Sequence, residues 1–176
     1  MVRPARAEEC ARCQEIAVAA WTPIYAQRRR DLGDALFDRL HLQWQRRKAG
    51  QIAAAFERHL EWIVVAITES APVPDDGHRS PGDRSDAAHV VGFVTYRLDP
   101  ATRVGTIGNN AVDPAWQGRG IATALYRRVL DLFRAAGMEV AAVTTGLDEA
   151  HGPARAAYHK VGFGAAVPSV TLYQEL

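Results

Sequence analysis

Asn109-Asn110-Ala111-Val112-Asp113-Pro114-Ala115-Trp116-Gln117-Gly118-Arg119-Gly120-Ile121-Ala122-Thr123-Ala124-Leu125 reads as a strand end, a glycine-bearing loop and the start of an amphipathic helix. Val104 to Val112 is uncharged and partly β-branched, and Asp113-Pro114 breaks its ladder. Beyond the loop, Ile121, Leu125, Val129 and Leu132 recur at helical spacing, with Arg127, Asp131 and Arg134 on the opposite side. Gly137 ends that helix. Its first turn carries glycines and an arginine but no carboxylate. Such a turn leaves backbone N–H groups unpaired at the positive end of the helix dipole, a setting that suits a phosphate. The Gly-Lys-Ser/Thr ending of a Walker loop does not occur. The dinucleotide fingerprint is incomplete, because Thr123 stands where its third Gly or Ala belongs.

Outward from that loop, the chain alternates between helical and strand patterns. Residues 2–5 fit a short edge strand ended by Pro4, and Ala7 to Ala20 has helical spacing. Thr22-Pro23 reads as a cap opening a second helical piece. Asp34 is placed to cap a helix in which Phe37, Leu40 and Trp44 share a side, with Gly50 as a stop before Ile52, Ala55 and Phe56. Arg28-Arg29-Arg30 reads as a solvated face. Glu61 to Thr68 is a buried strand by composition. Residues 69–88 are rich in Pro, Gly, Ser and Asp and read as a mobile loop. Val90 to Tyr96 and Val104 to Val112 continue an antiparallel meander through an Asp99-Pro100 turn. Met138 to Thr145 is the next strand, making the helix between it and Val112 a crossover of a parallel pair. Pro153 opens a helix with Ala154, Ala157, Tyr158 and Val161 on one face, and Ser169 to Glu175 is read as a last strand.

Composition narrows the function. With 48% apolar residues and a formal charge of +1, the chain lacks the basic surplus of a nucleic-acid binder. Its longest apolar run, Trp62 to Ile67, is too short to span a bilayer, and no apolar segment follows Arg3 and Arg6 as a secretory signal requires. Cys10 and Cys13 have metal-like spacing but no second pair, and they fall on an apolar helix face; free buried thiols, no metal and a cytoplasmic setting are expected.

Two motifs carry a resemblance. Gln117-x-x-Gly120-x-Ala122 fits the Gln/Arg-x-x-Gly-x-Gly/Ala pattern of the GNAT superfamily of acyl-coenzyme A-dependent N-acyltransferases, and the last helix resembles that family's second signature through Ala154, Tyr158, Lys160, Gly162 and Phe163. His151 stands where the family usually has Asn. The resemblance implies one N-acetyltransferase domain over 1–176 and an α/β (α+β) fold. The sheet would be mixed, of about six to seven strands, antiparallel in its first half, with a parallel pair around a central crossover helix.

The function it implies is transfer of an acetyl group from acetyl-coenzyme A to a primary amine of a small molecule or peptide, by direct attack through a tetrahedral intermediate. The alternative is a catalytically silent domain that binds or senses acyl-coenzyme A. By resemblance Tyr158 is catalytic, donating a proton to the departing thiolate. Ala111, Val112, Gln117, Gly118, Arg119, Gly120, Ile121, Ala122, Thr123 and His151 hold the cofactor. Trp21, Tyr25, Asn109 and Asn110 border the acceptor, with Tyr96 and Tyr173 as further aromatic candidates. No carboxylate stands on the strand where relatives often have a glutamate base. Thr106 takes that place, and Asp148, Glu149, His151 or water held by Asn109 or Asn110 stay open as substitutes. Neither nucleic acid nor membrane is implied as a partner, and the family's frequent homodimers are compatible with the chain.

Overall fold

The computed structural model describes residues 1–69 and 89–174. A single sheet runs in the order β1-β2-β3-β4-β5, with β1 Val2–Pro4, β2 Ile63–Thr68, β3 His89–Asp99, β4 Val104–Val112 and β5 Val140–Val143. The first four pair antiparallel and β4–β5 is parallel. Five helices flank it: α1 Cys10–Leu32, α2 Asp34–His41, α3 Trp44–His59, α4 Ile121–Ala135 and α5 Gly152–Lys160. No helix among the described residues is long and apolar enough to cross a membrane.

The sheet is buried on both sides, and its alternation sorts residues between two cores. Helices α1 and α3 lay Cys13, Ile16, Ala17, Ile52 and Phe56 against Ile63, Val65, Phe93 and Ala111. Helix α4 covers the other face with Leu125, Tyr126, Val129, Leu130 and Phe133, against Val64, Ala66, Val94, Ile107 and Val112. These α4 positions follow the i, i+4 rows of one face, as the hydrophobic spacing requires. Each large side chain withdrawn from water there contributes about 1.5–3 kcal/mol. Gly105 is required by the packing: a Cβ there would stand 2.5 Å from the Phe133 ring.

Two bulges in the ladder reset which way side chains point. In β3, Val91 is the extra residue between the Ala66↔Gly92 and Ile67↔Val90 pairs. In β4, Gly108 and Asn109 together face Thr95, between the Val94↔Asn110 and Tyr96↔Ile107 pairs. An extra residue moves every following side chain to the opposite face. Ile107, Asn110 and Val112 therefore share the α4 side, while Asn109 and Ala111 turn toward α1 and α3.

Several sequence expectations are corrected. Helix α1 runs through Pro23 without a break. Ala19, whose carbonyl Pro23 leaves without its helical donor, is exposed, so water can satisfy that group. Gly33, at φ +76, caps α2 in place of Asp34, and left-handed Gln43 divides the expected single helix into α2 and α3. Gly50 lies inside α3. The last strand does not form: residues 164–174 have no regular structure, and Val167, Val170 and Leu172 are exposed. Alternating side chains do not make a strand without a neighbour's backbone to pair with, and the adjacent edge, β5, is only four residues long. The sheet therefore has five strands, against the six to seven expected. Apart from Glu69, the expected loop at 69–88 lies outside the described residues.

Candidate active site

The turn before α4 is built as its sequence required. Asp113 accepts from the Ala115 N–H and closes a short 3-10 turn over Pro114–Trp116. Gln117 sends its Nε2 back to the Val112 carbonyl at 3.1 Å, tying the loop to the end of β4. Gly118 and Gly120 then take φ of +75° and +77°, conformations that side chains with a Cβ rarely adopt. Among the described residues nothing accepts from the backbone amides of Gly118 to Ala122. They stand open at the N-terminus of a 15-residue helix, with the exposed Arg119 guanidinium stacked 4.7 Å over Trp116. Open N–H donors, the positive end of the helix dipole and a nearby cation are the features that favour an anion.

Next to this turn the sheet opens. Strands β4 and β5 pair from Val104↔Val140 to Ile107↔Val143 and then part. From Gly108 to Val112, β4 has β3 as its one strand partner among the described residues, and apart from the Gly108 and Val112 carbonyls, taken by the Asn110 and Gln117 side chains, its other backbone edge faces a gap. Ala111 and Val112 lie on that edge. The Thr145 hydroxyl, two residues past β5, is buried with no partner. A buried hydroxyl without a partner normally costs stability unless a ligand completes it. An extended amide-bearing arm lying in the gap would pair with the β4 backbone groups that remain open there.

On the α4 side of the gap sits a chain of three side chains. Tyr126 donates to Asn110 Oδ1 at 2.7 Å, and Asn110 Nδ2 donates to the Tyr158 oxygen at 3.0 Å. Asn110 Nδ2 also reaches the Gly108 carbonyl at 2.9 Å. Because the Tyr158 oxygen accepts from Asn110, its own proton is left to point elsewhere; the alternative, donation back to Asn110 Oδ1, spans a longer 3.3 Å. The two tyrosine rings stack at 4.6 Å. Burial raises the Tyr158 phenol above its ordinary range, opposed by its bonds to Tyr126 and Asn110. The phenol is therefore protonated at neutral pH, as a proton donor must be.

At the far end of the gap, Asp148 accepts from the His151 N–H and contacts its Nδ1 at 2.7 Å. Arg155 Nη1 binds the carbonyls of Gly146 and Asp148 at 2.6 and 2.7 Å. Burial opposes ionisation of Asp148, but the His151 ring and backbone N–H hold it below the usual carboxylate range. Both residues thus shape the turn entering α5. Glu149 is exposed on that turn, and Thr106 sits in the paired part of β4, opposite Ala142.

The acceptor candidates divide between two places. Asn110 belongs to the tyrosine chain. Asn109 lies on the other face, where its Oδ1 accepts from Lys48 Nζ at 3.1 Å. The same ammonium stands 4.3 Å over the Trp21 ring. Tyr25, one turn along α1, stacks on Trp44 at 4.1 Å among Phe37 and His41. Tyr96 packs on Phe133 and donates to the Glu61 carbonyl, and Tyr173 is in the exposed tail, so the four aromatics do not form one wall. Lys48 was not anticipated; a lone lysine in a polar stretch carries no sequence signal of burial. Cys13 is fully buried, and burial pushes its thiol up to about 12, leaving no reactive thiolate. Separately, a cleft of about 420 Å³ lined by Val2, Ala66, Val91 and Ile121 lies at the β1–β2 side of α4, away from Tyr158.

A mixed sheet whose parallel pair parts beside an open helix N-terminus, with a buried phenol bonded to the strand at the parting, is the arrangement to compare with known proteins. That comparison makes the class specific. The acetyltransferase (GNAT) family profile matches residues 14–163, and the chain belongs to that family. Among solved structures, the PaiA N-acetyltransferase from Thermoplasma acidophilum in complex with coenzyme A is 14% identical, with a TM-score of 0.68 over 96% of this chain and 92% of that one. A GNAT family acetyltransferase from Brucella melitensis with acetyl-coenzyme A is 20% identical, with a TM-score of 0.56 over 94% and 82%. The putative acetyltransferase yncA from Salmonella typhimurium, also with acetyl-coenzyme A, is 19% identical, with a TM-score of 0.58 over 95% and 80%. No curated protein matches in sequence.

Proposed function

We propose that this chain is an N-acetyltransferase that takes an acetyl group from acetyl-coenzyme A and places it on a primary amine of a small molecule or peptide. One juxtaposition carries the reading. The open amides of Gly118 to Ala122, the parting of β4 from β5 after Ile107, and the Tyr158 hydroxyl bonded to Asn110 all lie on or against the same end of β4 and the turn that follows it. In this proposal the amides and Arg119 hold the diphosphate of the cosubstrate. The strand edge at Ala111 and Val112 and the orphan Thr145 hydroxyl bind its amide-bearing arm. Gln117, Thr123 and His151 line the two ends of that path.

The chemistry then follows from what each residue can do. The amine nitrogen forms a bond to the thioester carbon, the carbon–sulfur bond breaks, and the sulfur leaves with the electron pair. Tyr158 supplies the proton that the sulfur takes, a transfer uphill by about 2 kcal/mol for reference phenol and thiol values. The amine must arrive neutral. For an amine of ordinary lysine character that form is roughly one part in 2,500 at pH 7, a cost of about 4.6 kcal/mol. No carboxylate stands on β4, so in this proposal water takes both the proton shed on arrival and the second one the nitrogen loses after attack, and Tyr158 is reprotonated from the same source. The missing carboxylate also favours a second reading, a domain that binds acyl-coenzyme A without turning it over.

The two readings separate in one assay: acetyl-coenzyme A and an amine panel, read by free thiol. Thiol release dependent on amine supports the transferase. Tight calorimetric binding of coenzyme A with no thiol from any amine or peptide favours the silent domain, and absence of binding defeats both. Residence in the cytoplasm belongs to the same proposal, resting on two free cysteines.

A further inference from the structure

On the opposite side of β4 from Tyr158 lies a charge that the proposed reaction does not use. Lys48 is 8% exposed, in the second turn of α3. Its ammonium donates to Gln51 Oε1 at 2.9 Å and to Asn109 Oδ1 at 3.1 Å, and sits over the Trp21 ring. An ammonium has three donors, so one remains. No described carboxylate pairs with it. The charge that bears on it is another cation, Arg28. Burying an ion without a counter-ion is costly, and proteins ordinarily pair such a group. Burial, then Arg28, lowers this amine to about 8. Roughly nine molecules in ten still carry the charge at pH 7.

The position gives the charge a use. Asn109, in the bulge, and its neighbour Asn110, paired with Val94, lie where β4 leaves β5, and they point to opposite faces. With the leaving sulfur at Tyr158, the incoming amine approaches from the face where Trp21, Lys48 and Asn109 meet. We infer that Lys48 is the specificity-determining residue of the acceptor site, receiving an anionic group, a carboxylate first of all, that the acceptor carries within a few bonds of its reacting nitrogen. The preferred acceptors are therefore small amino acids and related amino carboxylates, and the counter-ion that no described residue supplies arrives with the substrate. Trp21 stacks beside the ammonium and limits the room for the acceptor side chain. This inference rests on the transferase reading.

The test uses the full chain with acetyl-coenzyme A and matched acceptor pairs: L-amino acids and their primary amides, which keep the amine and remove the carboxylate. Wild type should favour the acid by at least about 30-fold in kcat/KM, about 2 kcal/mol at 1.36 per decade. Lys48→Met should abolish that preference by slowing the acids, with the amides changed less than about threefold. Lys48→Arg should retain part of it. Calorimetry of the acids without turnover supplies a second readout, expected to weaken in Lys48→Met alone. Melting temperature checks folding; it should hold or rise in Lys48→Met, because an unpaired buried charge is removed. Amides used as well as acids by wild type, or both slowed equally by Lys48→Met, would overturn the inference and leave the transferase standing. Coenzyme A binding with no thiol from any acceptor would overturn both.

Discussion

Replacing Tyr158 by Phe removes one hydroxyl and leaves the ring stack with Tyr126 and Phe163 in place. Its structural cost is small. Asn110 Nδ2 keeps the Gly108 carbonyl at 2.9 Å with one N–H, while its second N–H loses the phenol oxygen as acceptor, so one hydrogen bond is lost. That is about 1 kcal/mol, or a melting shift of roughly 2–4 °C for a chain of this size. The chemical cost is larger, because the departing thiolate loses its proton source. General acids contribute about 10²–10⁴-fold, so kcat should fall by about two orders of magnitude, near 2.7 kcal/mol. KM for acetyl-coenzyme A should stay within about threefold, since the hydroxyl acts late in the reaction. Tyr126→Phe tests the relay behind it. Tyr126 touches Asn110 rather than the gap, so it is a positioning residue, and its loss should lower kcat roughly tenfold. In the double variant the Tyr126 effect should vanish, because an aligned Asn110 has nothing left to orient. Steady-state thiol-release kinetics on the four proteins measure all of this. A Tyr158→Phe enzyme within threefold of wild type, or a Tyr126 effect that persists undiminished in the double variant, would refute the assignment.

Two further outcomes follow from local geometry. Gly120→Ala forces a Cβ into a φ of +77° with open space around it, so the apo protein should lose about 1–2 kcal/mol from backbone strain. Coenzyme A affinity by calorimetry should drop by more than about tenfold, since the backbone can no longer approach a diphosphate closely. Glu9 accepts from both Arg3 guanidinium nitrogens, at 2.5 and 3.0 Å, and from the Arg6 N–H at 2.8 Å. Burial works against its ionisation, but the Arg3 and Arg6 bonds prevail and its carboxyl lies below the ordinary 4.5. A depressed folded value means stability that is present above the unfolded value and lost as pH falls through the folded one. Glu9→Gln should therefore melt lower than wild type at pH 7, by about 1.5–3 kcal/mol of charged hydrogen bonding. The gap should begin to shrink as pH falls below the ordinary 4.5 and close below the depressed folded value, and melts in which it persists undiminished throughout that fall would contradict this.

Much was legible in the chain because it is written in local spacing. The i, i+4 run Leu125, Val129, Phe133 needs an apolar floor wherever it lands, and the glycines of the turn need φ above zero whatever surrounds them. A strand, a turn with free amides and a crossover helix followed from those, as did Tyr158 on the buried face of α5. What was not legible depends on neighbours distant in sequence. Whether residues 169–174 pair depends on an edge offered elsewhere, and β5 stops after four residues. Whether Asn109 and Asn110 look the same way depends on the bulge opposite Thr95, which only the pairing of β3 with β4 creates.

The amino-acid order by itself thus determined the glycine turn, the parallel crossover and the buried position of Tyr158, since each is fixed by residues within a few turns of one another. The tertiary structure alone decided that Asn110 serves the tyrosines while Asn109 meets a lysine 61 residues away. Burial and unpaired charge are properties of the assembled space around a group, and no stretch of sequence contains that space.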